Sequence, residues 1–422
     1  MKHSLPIFSN YYDATAQRDK YPELQGEYSV DVCVIGGGIA GCSTALHLAE
    51  KGYRVALMES DCIGYGASGR SGGQLLPGFS CGQPILEKQL GADTARALWD
   101  ISVEAIQLAV SLIKQHHIEC DLKFGHIDVA IKHRHHEELL RHRDHLQQEY
   151  GYQDLRMMES SELRYFINSD RYIAGLFYPA AAHIHPLNYT MGLARAAAKT
   201  GAVIFERSKV VGIEHSSPGV SVRTKAGTVN AQYVVMCANV GNVALTKQSS
   251  RIMPVATYMI ATGPLAVDQL VMNDHIAASD CNFILDYFRM SNDRLLFGGG
   301  VSYSGHANTF RMKSIENRML KVFPQLRDHE VEYAWHGLLD ISLNRAPDFG
   351  RINSNIYYLQ GFSGHGLALA TMAGKLVADS IAMQSEQFDL FNQINHRSFP
   401  GGSMRTPLLM LAMLWYRVRD AL

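Results

Sequence analysis

Long hydrophobic runs are missing from this 422-residue chain. The most apolar stretch, Leu408 to Trp415, falls far short of the ~20 residues that a bilayer-spanning helix needs. Arg417, Arg419 and Asp420 follow it at once. The expectation is a C-terminal helix docked on the body, with peripheral membrane contact as the alternative and no integral membrane segment. Metal-type or disulfide-type cysteine spacing is missing too. Cys33, Cys42, Cys62, Cys81, Cys120, Cys237 and Cys281 are odd in number and contain no CxxC pair. That argues against a structural zinc or a disulfide framework and suits a reducing, cytoplasmic setting. No one sign of charge dominates: a formal net charge of -1 leaves neither a basic footprint for nucleic acid nor an acidic tail. No apolar segment follows a basic start, so no secretory leader is legible. Internal repeats and low-complexity stretches are absent as well.

What the chain does have is apolar material, 47% of its residues against 19% charged. At this length that predicts two cores rather than one. Val30 to Ile35 reads as a buried strand, Ile39 to Lys51 as a helix closed by Gly52, and Arg54 to Met58 as the next strand. Strand, turn, helix and strand in that order begin a parallel, doubly wound sheet. From about Pro84 the pattern changes. Leu98, Ile101, Ala105, Leu108 and Leu112 step by three and four, as in a long amphipathic helix, and Ile127, Val129 and Ile131 alternate as a half-buried strand. The βα pattern returns with a helix from Leu187 to Thr200. A strand-rich stretch runs from Tyr258 to Tyr303, and the strand Ile356 to Leu359 leads into a helix from Leu367 to about Met383. The expected fold is α/β: a Rossmann-like dinucleotide domain from 24–86, 176–248 and 336–385, interleaved with an α+β domain from 87–175 and 249–335 that holds a mainly antiparallel sheet. Residues 386–422 form an extension docked on the body.

Gly36-Gly37-Gly38-Ile39-Ala40-Gly41 matches GxGxxG between the first strand and its helix. Gly36 makes the tight turn, Gly38 lets backbone approach a pyrophosphate, and Gly41 lets the helix pack close to the sheet. The helix N-terminus offers free N–H groups to phosphate. Glu59 ends the second strand, where a carboxylate can accept from both ribose hydroxyls and repels a 2′-phosphate. The cradle alone does not separate FAD from NAD. The glycine-dense loop after it, Ile63 to Gln74, favours FAD: Ser68, Arg70, Ser71, Gly73 and Gln74 stand where a diphosphate or a flavin ring would be reached.

The segments DVCVIGGGIAG, IGYGASGRSGGQ, HIHPLN (183–188), LDYFR (285–289), LLFGGG (295–300), GFSGHG (361–366) and the terminal FPGG (399–402) with RTPLLMLAM after it resemble the FAD-dependent amine and amino-acid oxidoreductases related to D-amino-acid oxidase and sarcosine oxidase. The similarity spans almost the whole chain and is strongest to the γ-glutamylputrescine oxidoreductase branch. It implies a glutathione-reductase-type FAD domain. It also implies hydride transfer from the carbon beside a neutral amine, followed by hydrolysis of the imine, with oxygen or another acceptor taking the electrons. The matching positions imply that Val210 offers its main chain to adenine and that Gly361, Gly364, His365 and Gly366 lie against the ring. Some sarcosine-oxidase relatives carry a flavin-linking cysteine just before the segment equivalent to Arg345-Ala346-Pro347-Asp348. This chain has Asp340, Ile341 and Ser342 there, so the FAD is expected to be non-covalent. It also lacks the lysine those relatives place on the strand Arg294 to Gly300, which makes oxidase activity less secure than amine oxidation itself, with oxidase still placed ahead of dehydrogenase.

For the substrate side the aromatic candidates are Tyr258, Tyr287, Phe288, Phe297, Tyr303 and Trp335, each with core packing as its plain alternative. Strand alternation puts Tyr287 and Arg289 on one face and Asp286 and Phe288 on the other. Arg289 offers a bidentate fork to a substrate carboxylate, Asp286 offers attraction to a cationic amine, and a structural ion pair is the rival for both. His365, Tyr287 and Trp335 are the catalytic candidates. Tyr258, Arg289, Phe297 and His185 are the substrate-binding ones. The His-rich segment 133–145 is interspersed with Arg and Glu and reads as a solvated helix face rather than a metal site; no metal is expected. The leading activity is oxidation of γ-glutamylputrescine or a related γ-glutamyl polyamine to aldehyde and ammonia. The rivals are a secondary amino-acid oxidase or dehydrogenase acting on pipecolate or an N-methyl amino acid, a non-catalytic flavin-binding subunit, and an NAD dehydrogenase.

Overall fold

The computed structural model describes residues 10–216, 219–244, 247–269, 271–273, 275–302 and 309–400. Tyr303 and the expected C-terminal helix at 408–415 lie outside the described residues.

The strand Gly26–Ile35 turns from exposed at its start to fully buried over its last four residues. An apolar run without alternation suits a parallel strand covered on both faces. Its parallel neighbours are Gly227–Met236 on one side and Val55–Met58 on the other. The eight-stranded sheet continues outward to Ile356–Gln360 and Val203–Phe205, and an antiparallel edge strand, Asp348–Arg351, closes one side. The helix Ile39–Glu50 is buried at every position but its last. It is held between this sheet and the helix Leu367–Ile381. The two helices approach so closely that a Cβ on Gly374 would stand 2.5 Å from the Thr44 nitrogen, and the Ser43 hydroxyl donates to the Thr371 carbonyl at 2.6 Å.

A second, nine-stranded sheet has the order Val331–Ser342, Ile252–Thr262, Arg294–Ser302, Asp286–Ser291, Ala277–Asp280, Lys123–Ala130, Ala174–His183 and Gln74–Leu75, with Arg156–Glu159 paired to Ala174–His183. Its described pairings are antiparallel except that of Ala277–Asp280 with Lys123–Ala130. Because side chains alternate along a strand, the sheet has two distinct faces. On the inner face Trp335, Met259 and Leu296 pack into the core that contains the Ile39–Glu50 helix. On the outer face Tyr258, Phe288 and Phe297 pack with Met312, Ile315 and Met319 of the helix Thr309–Val322.

Strands of the second sheet run past the expected boundaries. Gln74–Leu75, most of Ala174–His183 and most of Val331–Ser342 pair there, although 24–86, 176–248 and 336–385 were assigned to the dinucleotide unit. Conversely the helix Ala92–Gln115 buries Leu98, Ile101 and Ala105 in the same core as the Leu367–Ile381 helix. Apolar periodicity says that a segment is a strand or helix but not which neighbour it pairs with. Within the strand-rich stretch, Asp286–Ser291 and Arg294–Ser302 form a hairpin, turning at Asn292 with φ 53°.

Candidate active site

The GxGxxG turn needs its glycines for measurable reasons. Gly36 has φ 111°, and a Cβ there would meet the Cys237 carbonyl oxygen at 2.6 Å. A Cβ on Gly41 would sit 1.8 Å from the Gly36 oxygen, so no other residue fits without moving the strand or the helix. Above the helix N-terminus the space is polar. Ser68 Oγ accepts from the Ile39 N–H at 3.0 Å, and a Cβ on Gly38 would fall 2.8 Å from that same oxygen. Glu59 accepts from the Gly37 N–H at 2.6 Å and, with its other oxygen, from the Asp61 N–H at 2.8 Å. Its carbonyl receives the Ser208 N–H at 2.7 Å, which brings the buried Val210 segment to the same edge of the sheet. Gly36, Gly38, Ile39, Ala40, Gly41, Glu59, Ser68 and Val210 are thus gathered at the carboxyl ends of the parallel strands, where doubly wound sheets bind dinucleotides.

The loop that follows runs from this cradle onto the inner face of the second sheet. Ser71 Oγ is buried there without a hydrogen-bond partner among the described residues, in a fold where buried hydroxyls are normally satisfied. Gly72 lies against Tyr287: a Cβ at 72 would be 2.9 Å from the Tyr287 ring, and one at Gly298 would be 2.3 Å from it. Two glycines therefore let the ring lie between loop and sheet, with its hydroxyl 3.5 Å from Thr257 Oγ1 and its pKa pushed up to about 12 by burial. Trp335, on the same face, donates its indole N–H to the Arg70 carbonyl at 3.0 Å. Arg70 itself donates to the Tyr65 and His336 carbonyls and stacks over the Tyr65 ring. It staples the loop to the second sheet. Gln74 is in the paired strand Gln74–Leu75 and donates to the Ala278 carbonyl at 3.3 Å.

Arg289 is where expectation and structure part. It is 1% exposed and its fork is already engaged. Nε donates to the Gly72 carbonyl at 2.9 Å, Nη2 to the Ile184 carbonyl at 2.9 Å and to the Tyr12 hydroxyl at 3.2 Å, and Nη1 to the Met290 carbonyl at 3.2 Å. Main-chain oxygens, rather than a carboxylate, hold this cation. Gly73, at φ 78°, completes the junction: a Cβ there would strike the Ile184 oxygen at 2.2 Å. His185 likewise has a structural partner at each nitrogen. It caps the helix Pro186–Lys199, its Nδ1 accepting from the Asn188 N–H at 3.1 Å, so the proton sits on Nε2, 3.0 Å from Thr15 Oγ1. Burial, reinforced by the Arg289 charge, pushes its pKa down to about 4, and the same two causes push His183 down to about 2.

The segment Gln360 to Gly366 follows a strand and opens the helix Leu367–Ile381 at the N-cap Gly366. Gly361 and Gly364 both have positive φ, 75° and 84°. Asp340 pins the turn, accepting the Gly361 N–H at 2.6 Å; burial raises its pKa to about 7. His365 lies on the side of the second sheet that carries Tyr287, because Asp128, which lines the same cavity as His365, is in register with Tyr287 through Ser279. Its Nε2 donates to the Pro77 carbonyl at 3.0 Å, and it lines a cavity of about 130 Å³ with His126, Asp128 and His142. Its pKa is lowered by burial.

Tyr258 and Phe297 belong to the outer face, away from the loop; Phe297 stacks on Phe288 with centroids 5.6 Å apart. Residue alternation separates Tyr287 from Phe288 but cannot say which face looks at the cradle. Asp286 does form an ion pair, with Arg318 rather than Arg289 (Nε to Oδ1, 2.5 Å). Two aromatic residues were missed altogether. Tyr12 is fully buried, edge-on to Trp335 at 5.4 Å and to His185 at 4.8 Å. Tyr11 packs on Tyr333 at 5.6 Å. The one signal for them was a Tyr-Tyr pair following Asn10 in an otherwise polar start. Asn10 caps the short helix and also donates to the Gly69 carbonyl at 3.0 Å.

The arrangement fits FAD on its own geometry: a glycine cradle that side chains would fill, a buried hydroxyl without a partner, and a glycine-lined aromatic wall beyond it. Among the described residues no helix is long and apolar enough to cross a membrane. The family described as FAD-dependent oxidoreductase matches residues 31–380. The γ-glutamylputrescine oxidoreductase of Escherichia coli K12 is 38% identical over 421 residues, covering 98% of each chain. A probable oxidoreductase, OrdL, of Haemophilus influenzae is 39% identical, covering 98% of this chain and 97% of its own. Among solved structures, the glycine oxidase of Geobacillus kaustophilus superposes with a TM-score of 0.75 at 22% identity, covering 88% of this chain and 100% of that one.

Proposed function

The chain belongs to the family of FAD-dependent oxidoreductases, and from that premise we propose that it oxidises the C–N bond of γ-glutamylputrescine or a related γ-glutamyl polyamine. The primary amine R–CH2–NH2 loses a hydride from carbon and a proton from nitrogen, two electrons in all, to become R–CH=NH. Water then adds, giving the aldehyde and ammonia, and oxygen or another acceptor takes the electron pair. FAD, when bound, supplies the two-electron acceptor for this chemistry.

The protein's part is to hold, orient and dry the reactants. Gly36, Gly38, Ile39, Ala40 and Gly41 would cradle the diphosphate, with Ser68 beside them. Glu59 would receive the ribose hydroxyls and the Val210 main chain the adenine. Ser71, Gly72, Gly73 and the Gly361–Gly366 turn would bound the ring. Tyr287 and Trp335, backed by Tyr12, form the apolar wall that excludes water from the amine. Arg70 and Gln74 tie the loop to the second sheet, and His365 holds the Pro77 carbonyl just beyond it. Cytoplasmic residence suits seven cysteines that are all free.

The observation that carries the amine reading is Arg289, two residues along the same strand face from Tyr287 and buried without a carboxylate among its hydrogen-bond partners. A buried cation disfavours a second positive charge nearby, as the depressed His183 and His185 pKa values illustrate. It would in the same way favour the neutral, oxidisable amine over the ammonium ion. The choice of γ-glutamylputrescine rests on the Escherichia coli relative and its end-to-end match.

The test is anaerobic mixing of the yellow protein with γ-glutamylputrescine, putrescine, sarcosine and pipecolate in separate syringes, following the flavin absorbance band. Bleaching by γ-glutamylputrescine supports the proposal, and reoxidation on admitting air would identify an oxidase. Bleaching by sarcosine or pipecolate alone moves the enzyme to secondary amino acids. No bleaching by any amine would leave a flavin-binding protein without this activity.

A further inference from the structure

The outer face of the second sheet, turned away from the aromatic wall, holds a cavity of about 430 Å³. Its lining includes Lys132, Arg171, Arg311, Arg318 and Lys321 and, among the described residues, one carboxylate, Asp286. That carboxylate is buried and already neutralised by Arg318, whose Nη2 also donates to the Ile284 carbonyl at 2.7 Å. Arg171 and Lys321 then stand in a partly enclosed volume with no ion pair among the described residues. Focused potentials in such a volume concentrate anions. The cluster also contains a group without its usual complement: Arg171 Nε is shut off from solvent and has no hydrogen-bond partner among the described residues. A guanidinium N–H buried in that way is costly unless something accepts from it. Tyr258, Ile284 and Ile315, all buried, also line it.

We propose that this cavity is a binding site for a small polyanion, a molecule presenting phosphate or carboxylate oxyanions to Arg171, Arg318 and Lys321. Guanidinium groups suit such oxyanions because their N–H pairs match two oxygens at once. The site is separate from the amine-oxidising one. Asp286 and Tyr287 are neighbours in one strand and point to opposite faces, so the cavity and the aromatic wall are back to back across the sheet.

Isothermal titration of the FAD-loaded protein with pyrophosphate and with citrate, at constant ionic strength, tests this. Saturable one-to-one binding of at least one anion is expected. Tighter binding of pyrophosphate would identify a phosphorylated ligand, tighter binding of citrate a polycarboxylate. Lys321 is exposed, so Lys321→Glu preserves folding and is expected to weaken binding about tenfold or more. Arg171→Gln is expected to weaken it similarly. Lys225→Glu, a matched charge reversal on an exposed turn of the other sheet, is expected to leave affinity unchanged. The proposal is overturned if neither anion binds saturably, if Lys321→Glu and Arg171→Gln both bind as the parent does, or if Lys225→Glu weakens binding as much as they do.

Discussion

Arg289 donates from Nε to the carbonyl oxygen of Gly72 at 2.9 Å, and that bond joins the strand carrying Tyr287 to the loop that leaves the phosphate cradle. The same guanidinium reaches Ile184 and Tyr12, so four segments distant in sequence meet on one buried cation. Replacing it with methionine removes this donor from three carbonyls and a hydroxyl in a dry environment. Arg289→Met is expected to lose about 3 kcal/mol of stability in urea titration and to shed FAD on gel filtration. A loss below about 1 kcal/mol would show that the clamp is not structural.

Ser71 offers the opposite case, a buried hydroxyl with no hydrogen-bond partner among the described residues. If it awaits the cofactor, Ser71→Ala should leave the apoprotein as stable as before while weakening FAD affinity about five- to tenfold, the worth of one hydrogen bond. Fluorescence titration of apoprotein with FAD reads this directly; unchanged affinity would remove Ser71 from the cofactor's surroundings.

Two glycine substitutions should separate close approach from backbone freedom. Gly41→Ala forces a methyl to within 1.8 Å of the Gly36 oxygen, and soluble, FAD-loaded protein is not expected. Gly52 has φ 85° and open space around it, so Gly52→Ala should cost only the left-handed backbone penalty of roughly 1–2 kcal/mol and keep its flavin. Recovery of yellow Gly41→Ala protein would contradict the packing argument.

Asp340 makes the Gly361–Gly366 turn pH-sensitive. Its pKa lies near 3.8 in a solvated chain and about 7 in the fold, because burial penalises the charged form. The folded state therefore binds the proton more tightly. The stability this confers is full below about pH 4 and is lost as pH rises to about 7, at up to about 1.4 kcal/mol per pH unit. Asp340→Asn keeps an oxygen acceptor for the Gly361 N–H but cannot ionise. Relative to the parent it should gain stability steadily between pH 4 and 7. Parallel urea midpoints for the two proteins across that range would refute the assignment.

FAD should leave the protein intact on acid precipitation, because no cysteine follows Cys281 in the chain. Yellow supernatant and colourless pellet are the expected result; flavin retained in the pellet would mean a covalent link through another residue.

The cradle was legible because its chemistry is local. A glycine turn between strand and helix, with a carboxylate ending the next strand, specifies backbone geometry within one short βαβ unit, and the turn at Gly36 and the close approach at Gly41 are where that geometry is seen. The pairing of Tyr287 with Arg289 on one strand face was also legible from period two. The roles of Arg289 and His185 were not. A fork that suits a carboxylate suits main-chain carbonyls equally, and which it meets depends on segments far along the chain. Tyr12 escaped notice because a short polar segment carries too little periodicity to announce a buried helix.

The sequence by itself determined the cofactor class, the doubly wound sheet and the alternation of every strand, since these follow from φ preferences, side-chain period and the spacing of glycines. Only the tertiary structure decided which face of the second sheet looks at the cradle. It set Tyr287 and Trp335 inward and Tyr258 and Phe297 outward, and it turned Arg289 from a ligand for substrate into a buried clamp. The physical reason is that a strand's two faces are equivalent until something packs on one of them, and what packs there comes from elsewhere in the chain.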